Sequence, residues 1–219
     1  SPKDLQKSLS SKGLQGRTGR VRTTPPGYAS AFNRAPDAEG LLFYGTAFAN
    51  GASLAQSAAT FLNSAEYAAS YRDDQGNDGF AVEVYENVLG RMPDLAGFSF
   101  WVGLLDADKV GRDTFILEVL KGAKADPPQD ATQDFIDQQL ADRAYLASKT
   151  DIGIYYAVTG GMSDVADATA AMALFDGTEA SISQARDAID DFHADAMDPE
   201  NSEFLLSLTG VVDDPFAAM

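Results

Sequence analysis

Apolar residues recur three or four positions apart along most of this chain, in runs separated by glycine, proline and small polar residues. That period matches one face of an α-helix, and no stretch alternates apolar and polar residues for more than a few positions, as a strand would. The clearest runs lie at 54–62, 82–89, 115–120, 135–146, 152–158, 165–174 and 185–196. The pattern therefore predicts an all-α protein.

The residues between two of these runs predict a sharp corner. Gly90 follows the run 82–89 and can adopt the left-handed conformation that ends a helix. Pro93 suits the first turn of a new helix, where its missing N–H costs nothing, and Asp94 beside it suits the electropositive helix start. We therefore expect one helix to end at Gly90 and the next to begin at Pro93.

This corner occurs twice. Residues 32–44 read FNRAPDAEGLLFY and residues 89–101 read LGRMPDLAGFSFW, 57 positions later. The alignment pairs Arg34 with Arg91, Pro36 with Pro93, Asp37 with Asp94, Gly40 with Gly97, Phe43 with Phe100, and Tyr44 with Trp101. The arginines are expected to cover helix-end carbonyls or to pair with a carboxylate, and the glycines to permit close helix approach. Each copy belongs to a short helical unit, so the sequence predicts tandem helical repeats.

The second copy carries a family resemblance. The stretch VYENVLGRMPDLAGFSFWVGLL, residues 84–105, resembles a bacterial domain-of-unknown-function family whose signature is Leu-Gly-Arg, then x-Pro-Asp-x-x-Gly and an aromatic pair. The first copy departs from it at Phe32-Asn33 and Tyr44. The resemblance implies an all-helical module, without established catalytic residues, of secreted and cell-surface bacterial proteins. These include toxin-repeat-type adhesins, exopolysaccharide-associated proteins and surface-layer proteins, and phycobilisome linker repeats are more distantly similar.

The rest of the chain divides into two further regions. Residues 1–27 form a basic, Ser/Gly-rich arm with few apolar anchors, which we expect to be disordered. The two repeats occupy 28–126. Residues 127–219 are expected to form a C-terminal helical region packed on the repeats, with Asp130 or Thr132 beginning its first helix and Ser181 or Ser183 its last.

Composition narrows the function classes. The 219 residues include 33 acidic and 16 basic side chains, for a net charge of −17, and the body beyond the arm is more acidic still. Such a body repels phosphate backbones, so nucleic acid is not an expected ligand. Without cysteine and with a single histidine, His193, the sequence excludes thiolate and multi-histidine metal sites. The sequence has no apolar run of the length that a transmembrane helix needs, and its first residues lack the apolar stretch of a secretory leader, so we expect neither in these residues.

An acidic loop is the candidate cation site. Asp73, Asp74, Asn77 and Asp78, with two glycines among them, offer the oxygen ligands that calcium prefers. The spacing is not that of an EF-hand. A solvated acidic turn explains the same composition, so calcium is one of two interpretations.

The paired aromatics are the candidate ligand site. Tyr44 and Trp101, with Phe43 and Phe100, form either a sugar-stacking platform flanked by Arg34, Arg91, Asp37 and Asp94, or large anchors of a helical core. Helical spacing favours the core interpretation.

Together these patterns favour a non-catalytic, secreted or cell-surface bacterial binding module for envelope polysaccharide or a surface partner protein, with calcium as an assisting ion. The alternatives are a structural linker or assembly protein without a small ligand, and a polysaccharide-acting hydrolase. The hydrolase would need a cleft with two carboxylates of different acidity. Oligomerisation is left open.

Overall fold

The computed structural model describes residues 34–53, 56, 60, 64, 66, 67, 71, 76–201, 203–206, 215 and 216. They form α1 (Ala38–Ala49), α2 (Asn77–Leu89), α3 (Leu95–Asp106), α4 (Arg112–Lys124), α5 (Gln133–Ile154), α6 (Val165–Ala173) and α7 (Glu179–Ala196). A five-residue π-helical turn, Tyr155–Thr159, extends α5. These described ranges contain no strand, which confirms the all-α prediction. The arm predicted at 1–27 lies outside them.

Helix boundaries follow the caps, with two corrections. Gly90 ends α2 with φ 67°, as predicted. The start of α3 was predicted at Pro93 but lies at Leu95, because Asp94 is extended and its side chain accepts the Gly97 amide. Thr132 is the cap of α5, one of the two residues proposed.

The last helix begins earlier than the sequence pattern indicated. We expected Ser181 or Ser183 to start it, but α7 begins at Glu179 with Thr178 as its cap. The Thr178 hydroxyl accepts the Ser181 amide at 3.2 Å. Ser181 itself is buried and donates to the Thr178 carbonyl, so it lies inside the first turn.

Two hydrophobic cores lie along the described chain. The first core joins α2, α3 and α4, and its largest buried side chains include Phe80 and Phe115. The second core joins the end of α5, the π-turn, α6 and α7 around Tyr156, Met172 and Ile189. The long helix α5 contributes to both, with Leu146 in the first core and Ile152 in the second. Among the described helices, none has the length and apolar character needed to cross a membrane.

Polar side chains of α5 cap the C-terminal ends of two neighbouring helices. Gln139 donates to the Gly122 carbonyl and Arg143 to the Ala123 carbonyl, both in the last turn of α4. Lys149 donates to the Asn87 carbonyl in the last turn of α2. Because a helix C-terminus carries free carbonyls and partial negative charge, these contacts fix α5 against the first core.

Candidate functional site

The arginine of each motif holds its corner in the same way. Arg34 donates through Nη1 to the carbonyl of the next residue, Ala35, at 3.0 Å, and Arg91 does the same to Met92 at 3.1 Å. Each guanidinium also binds a carboxylate with two nitrogens, Glu66 for Arg34 and Asp142 for Arg91. Of the two roles that the sequence left open, pairing with a carboxylate is therefore observed in both copies.

The aspartate of each motif caps the helix that follows. Asp37 Oδ1 accepts the Gly40 amide at 2.6 Å, and Asp94 Oδ1 accepts the Gly97 amide at 2.8 Å. A Cβ atom added at Gly40 would lie 3.1 Å from Asp37 Oδ1. That glycine therefore makes room for the capping carboxylate, whereas we had expected it to allow close helix approach.

The helices after the two caps have matching bounds. α1 begins at Ala38 and α3 at Leu95, 57 positions apart, and each has 12 residues. The aromatic pair consequently falls on the same turn of each helix. This places Phe43 and Phe100 at equivalent positions.

Each aromatic pair consists of an outer and an inner ring. Phe43 is 60% exposed and Phe100 is 58% exposed, while Tyr44 and Trp101 are partly buried. The two rings of a pair meet edge to face, with centroids 5.3 Å apart for Phe43 and Tyr44 and 5.0 Å apart for Phe100 and Trp101. Edge-to-face contact is a favourable geometry and holds the outer ring on the surface.

The inner ring of the second copy belongs to the first core. Trp101 packs 5.2 Å from Phe115, and its Nε1 donates to the Tyr85 hydroxyl at 2.8 Å. Burial raises the pKa of Tyr85, so the hydroxyl that accepts this bond stays protonated. In the first copy, burial first, and then the charges of Glu66 and Asp37, raise the pKa of Tyr44.

The four charged residues that the sequence predicts as ligand-binding residues are engaged in contacts inside the protein. Arg34 is buried and bound to carboxylates, Arg91 is bound to Asp142, and Asp37 and Asp94 bind helix amides. These contacts give each of the four side chains an internal partner. A direct role for them in ligand binding stays a prediction, and the exposed aromatic surface of each motif is Phe43 or Phe100.

The acidic loop is described only in part. Asp73 and Asp74 lie outside the described residues, and Asp78 is exposed. The Asn77 side chain donates to Asp106 at 2.8 Å and accepts from Arg112 at 3.0 Å. It therefore connects the start of α2 to the end of α3 and the start of α4. In the part of the chain with described coordinates, no three His, Asp or Glu side chains cluster as metal ligands would. Calcium at 73–78 stays a prediction.

Comparison with known families gives one match. Residues 58–124 match the model of a family described as Domain of unknown function (DUF4214). No curated protein and no solved structure matches the chain significantly. The matched segment covers under a third of the chain and contains α2, α3, α4 and the second motif. It supports the resemblance to a bacterial family of unknown function, and the first motif, from Arg34 to Tyr44, lies before it.

Sequence analysis did not identify the carboxylate partners of the two arginines. Glu66 is 32 positions from Arg34, and Asp142 is 51 positions from Arg91. In a chain this rich in acids, many carboxylates are equally plausible partners. Asp142 is buried while Asp134 and Asp137 on the same helix are exposed, and this difference follows only from the packing of α5 against the corner.

Proposed function

We propose that the chain is a non-catalytic binding module of a secreted or cell-surface bacterial protein, and that it contacts envelope polysaccharide through Phe43 and Phe100. The observation that carries this proposal is the matched exposure of the two outer rings, at equivalent positions of two similar corners. A single exposed phenylalanine needs no explanation, but its repetition at the same position of two similar corners supports a contact surface.

A sugar ring is a suitable partner for such an exposed ring. One face of many sugars is a patch of C–H bonds, which packs on the electron-rich face of an aromatic ring. The inner ring orients the outer one before any ligand arrives, so little side-chain freedom is lost on binding. A polymer with repeated sugars can engage both motifs, and two linked contacts bind far more tightly than either alone.

The resemblance to secreted and cell-surface proteins supports the proposed location. Detection of the chain only in the cytosol of the producing cells would argue against it. Calcium assistance is a separate part of the proposal, resting on the composition of the loop at 73–78.

The test is co-sedimentation of the purified chain with insoluble polysaccharide extracted from the producing organism's surface, with calcium and then with chelator. We expect Phe43→Ala and Phe100→Ala each to weaken retention by roughly 3- to 10-fold, the effect of losing one aromatic contact. The double variant should lose more than either single variant, since both contacts are gone. If the chain is retained with calcium but not with chelator, calcium takes part in binding.

The matched control is Phe204→Ala, which removes a phenylalanine that is 77% exposed and lies outside both motifs. It should leave retention unchanged. If the wild-type chain stays in solution with and without calcium, or if Phe204→Ala weakens retention as much as Phe100→Ala, the polysaccharide proposal is wrong.

A structural linker or assembly protein is the second candidate function. It is favoured by a different surface, the exposed apolar corner formed by Met92 and Leu95. That surface does not include either outer phenylalanine.

A further inference from the structure

The two motif corners differ in what covers them. In the first corner, Ala35 and Ala38 are fully buried, because the corner lies against the segment from the π-turn to α6. The Ala35 amide donates to the Ala168 carbonyl at 3.1 Å, and the Ala38 amide donates to the Met162 carbonyl at 2.9 Å. The first corner is thus docked inside the molecule through two methyl groups and two backbone amides.

The equivalent positions of the second corner face solvent. Met92 corresponds to Ala35 and Leu95 to Ala38, at the same spacing of 57 residues. Met92 is 57% exposed and Leu95 is 83% exposed. Within the described part of the chain, the amides of these two residues make no hydrogen bond to another segment. The second corner therefore presents larger apolar side chains than the first, and no other segment among the described residues covers it as α6 covers the first.

The exposure of Met92 and Leu95 to water is unfavourable, and the local structure of the corner gives no reason for it. Leu95 is the first residue of α3, where a polar or acidic residue would suit the helix start better. The cap and the arginine pairing of this corner are already complete through Asp94 and Arg91. Met92 and Leu95 are thus free to serve an external contact.

The surroundings of the second corner indicate the charge of its partner. The exposed charged side chains next to this corner in the sequence, within residues 86–99, are the carboxylates Glu86 and Asp94. Arg91, between them, is partly buried and paired with Asp142. With a net charge of −17 on the whole chain, this surface repels a second copy and attracts a basic partner.

We infer that the Met92–Leu95 corner docks a second protein with a basic surface. By the example of the first corner, the partner presents small apolar side chains and free backbone carbonyls, as the segment around Met162 and Ala168 does. Met92 and Leu95 fill its apolar recess, and their amides donate to its carbonyls. This inference does not rest on polysaccharide binding, since it uses other side chains.

Site-specific photo-crosslinking in the producing cells tests the inference. A photoreactive residue replaces Leu95 in the full chain, and in a matched control it replaces Met197, which is 63% exposed at the end of α7. We expect a basic protein to be captured from position 95 and not from position 197. Capture alone is insufficient, so that protein is purified and titrated against the wild-type chain and two variants.

Leu95→Glu should weaken binding of the captured protein at least tenfold and leave the melting temperature unchanged, because the position is exposed and an acid suits a helix start. The double variant Met92→Ala with Leu95→Ala, which copies the first corner, should weaken binding of the captured protein less than Leu95→Glu does. Binding should also fall as salt is raised. Four outcomes overturn the inference: no adduct at position 95, an adduct with a second copy, an adduct only with glycan or lipid, or equal binding by Leu95→Glu.

Discussion

Lys149 shows how one buried residue sets the pH dependence of stability. It is fully buried, and its Nζ donates to the Asn87 carbonyl and lies 5.8 Å from the centre of the Tyr145 ring. Burial lowers the pKa of its ammonium to about 7, from 10.5. Between these two values the unfolded chain holds a proton that the folded chain has released. Stability therefore rises with pH across this window, and the cost of burying the charge is full below it.

We therefore expect the free energy of unfolding of the wild type to rise relative to Lys149→Met by about 1 kcal/mol per pH unit between about pH 7.5 and 9. Urea denaturation at several pH values measures this difference. Lys109→Met, at an exposed position, is the control and should follow the wild type. Parallel curves for the wild type and Lys149→Met would mean that this ammonium titrates near its ordinary pKa.

At the scale of the secondary-structure element, the contributions of the two capping aspartates to stability can be compared within one protein. Asp94→Ala removes one side-chain cap from α3 and should lower the free energy of unfolding by about 1 kcal/mol. Asp37→Ala should cost more, because Asp37 both caps α1 and binds the buried Arg34 at 3.1 Å. Urea denaturation of both variants gives the comparison.

Asparagine is the matched control at both positions, since its side-chain oxygen can still accept the amide. Asp94→Asn should restore most of the stability lost in Asp94→Ala. Asp37→Asn should restore less, because it cannot neutralise the Arg34 charge. Equal losses for Asp37→Ala and Asp94→Ala would show that the contact with Arg34 adds nothing to stability.

The sequence predicted helix ends where one residue type had a single suitable role. Gly90 after an apolar run is such a case, and it ends α2. Where several cap formers stand close together the prediction was less precise: Thr132 was one of two candidates for the start of α5, and the start of α7 was placed too late. The π-turn after Ile154 has no local signal, since its residues continue the helical period.

The sequence predicted the residues of the motif but not which of their side chains are exposed. α3 is apolar on nearly every side, so periodicity cannot separate Phe100 from Trp101, which occupy adjacent positions. Packing against Phe115 decides that the tryptophan faces inward. The exposure of Leu95 could not be predicted either, because an apolar residue beside a helix cap is expected to be buried.

At the scale of the whole molecule, α5 links the two cores. It contributes Leu146 to the first and Ile152 to the second. Tyr145 lies between them, packed 4.8 Å from Phe175 and so close to Gly90 that a Cβ there would lie 2.3 Å from its ring. A helix shared in this way transmits the loss of either core to the other, which favours a single cooperative unfolding transition.

Trp101 makes this coupling measurable, because it is the chain's single tryptophan and packs on the first core. Its fluorescence reports that core, while far-ultraviolet circular dichroism reports all helices. We expect the two signals to give the same melting temperature in the wild type and in the control Phe204→Ala. Tyr145→Ala removes the ring between the cores, so the two midpoints should separate. Distinct midpoints in the wild type would mean that the cores unfold independently, and coincident midpoints in Tyr145→Ala would place the coupling elsewhere on α5.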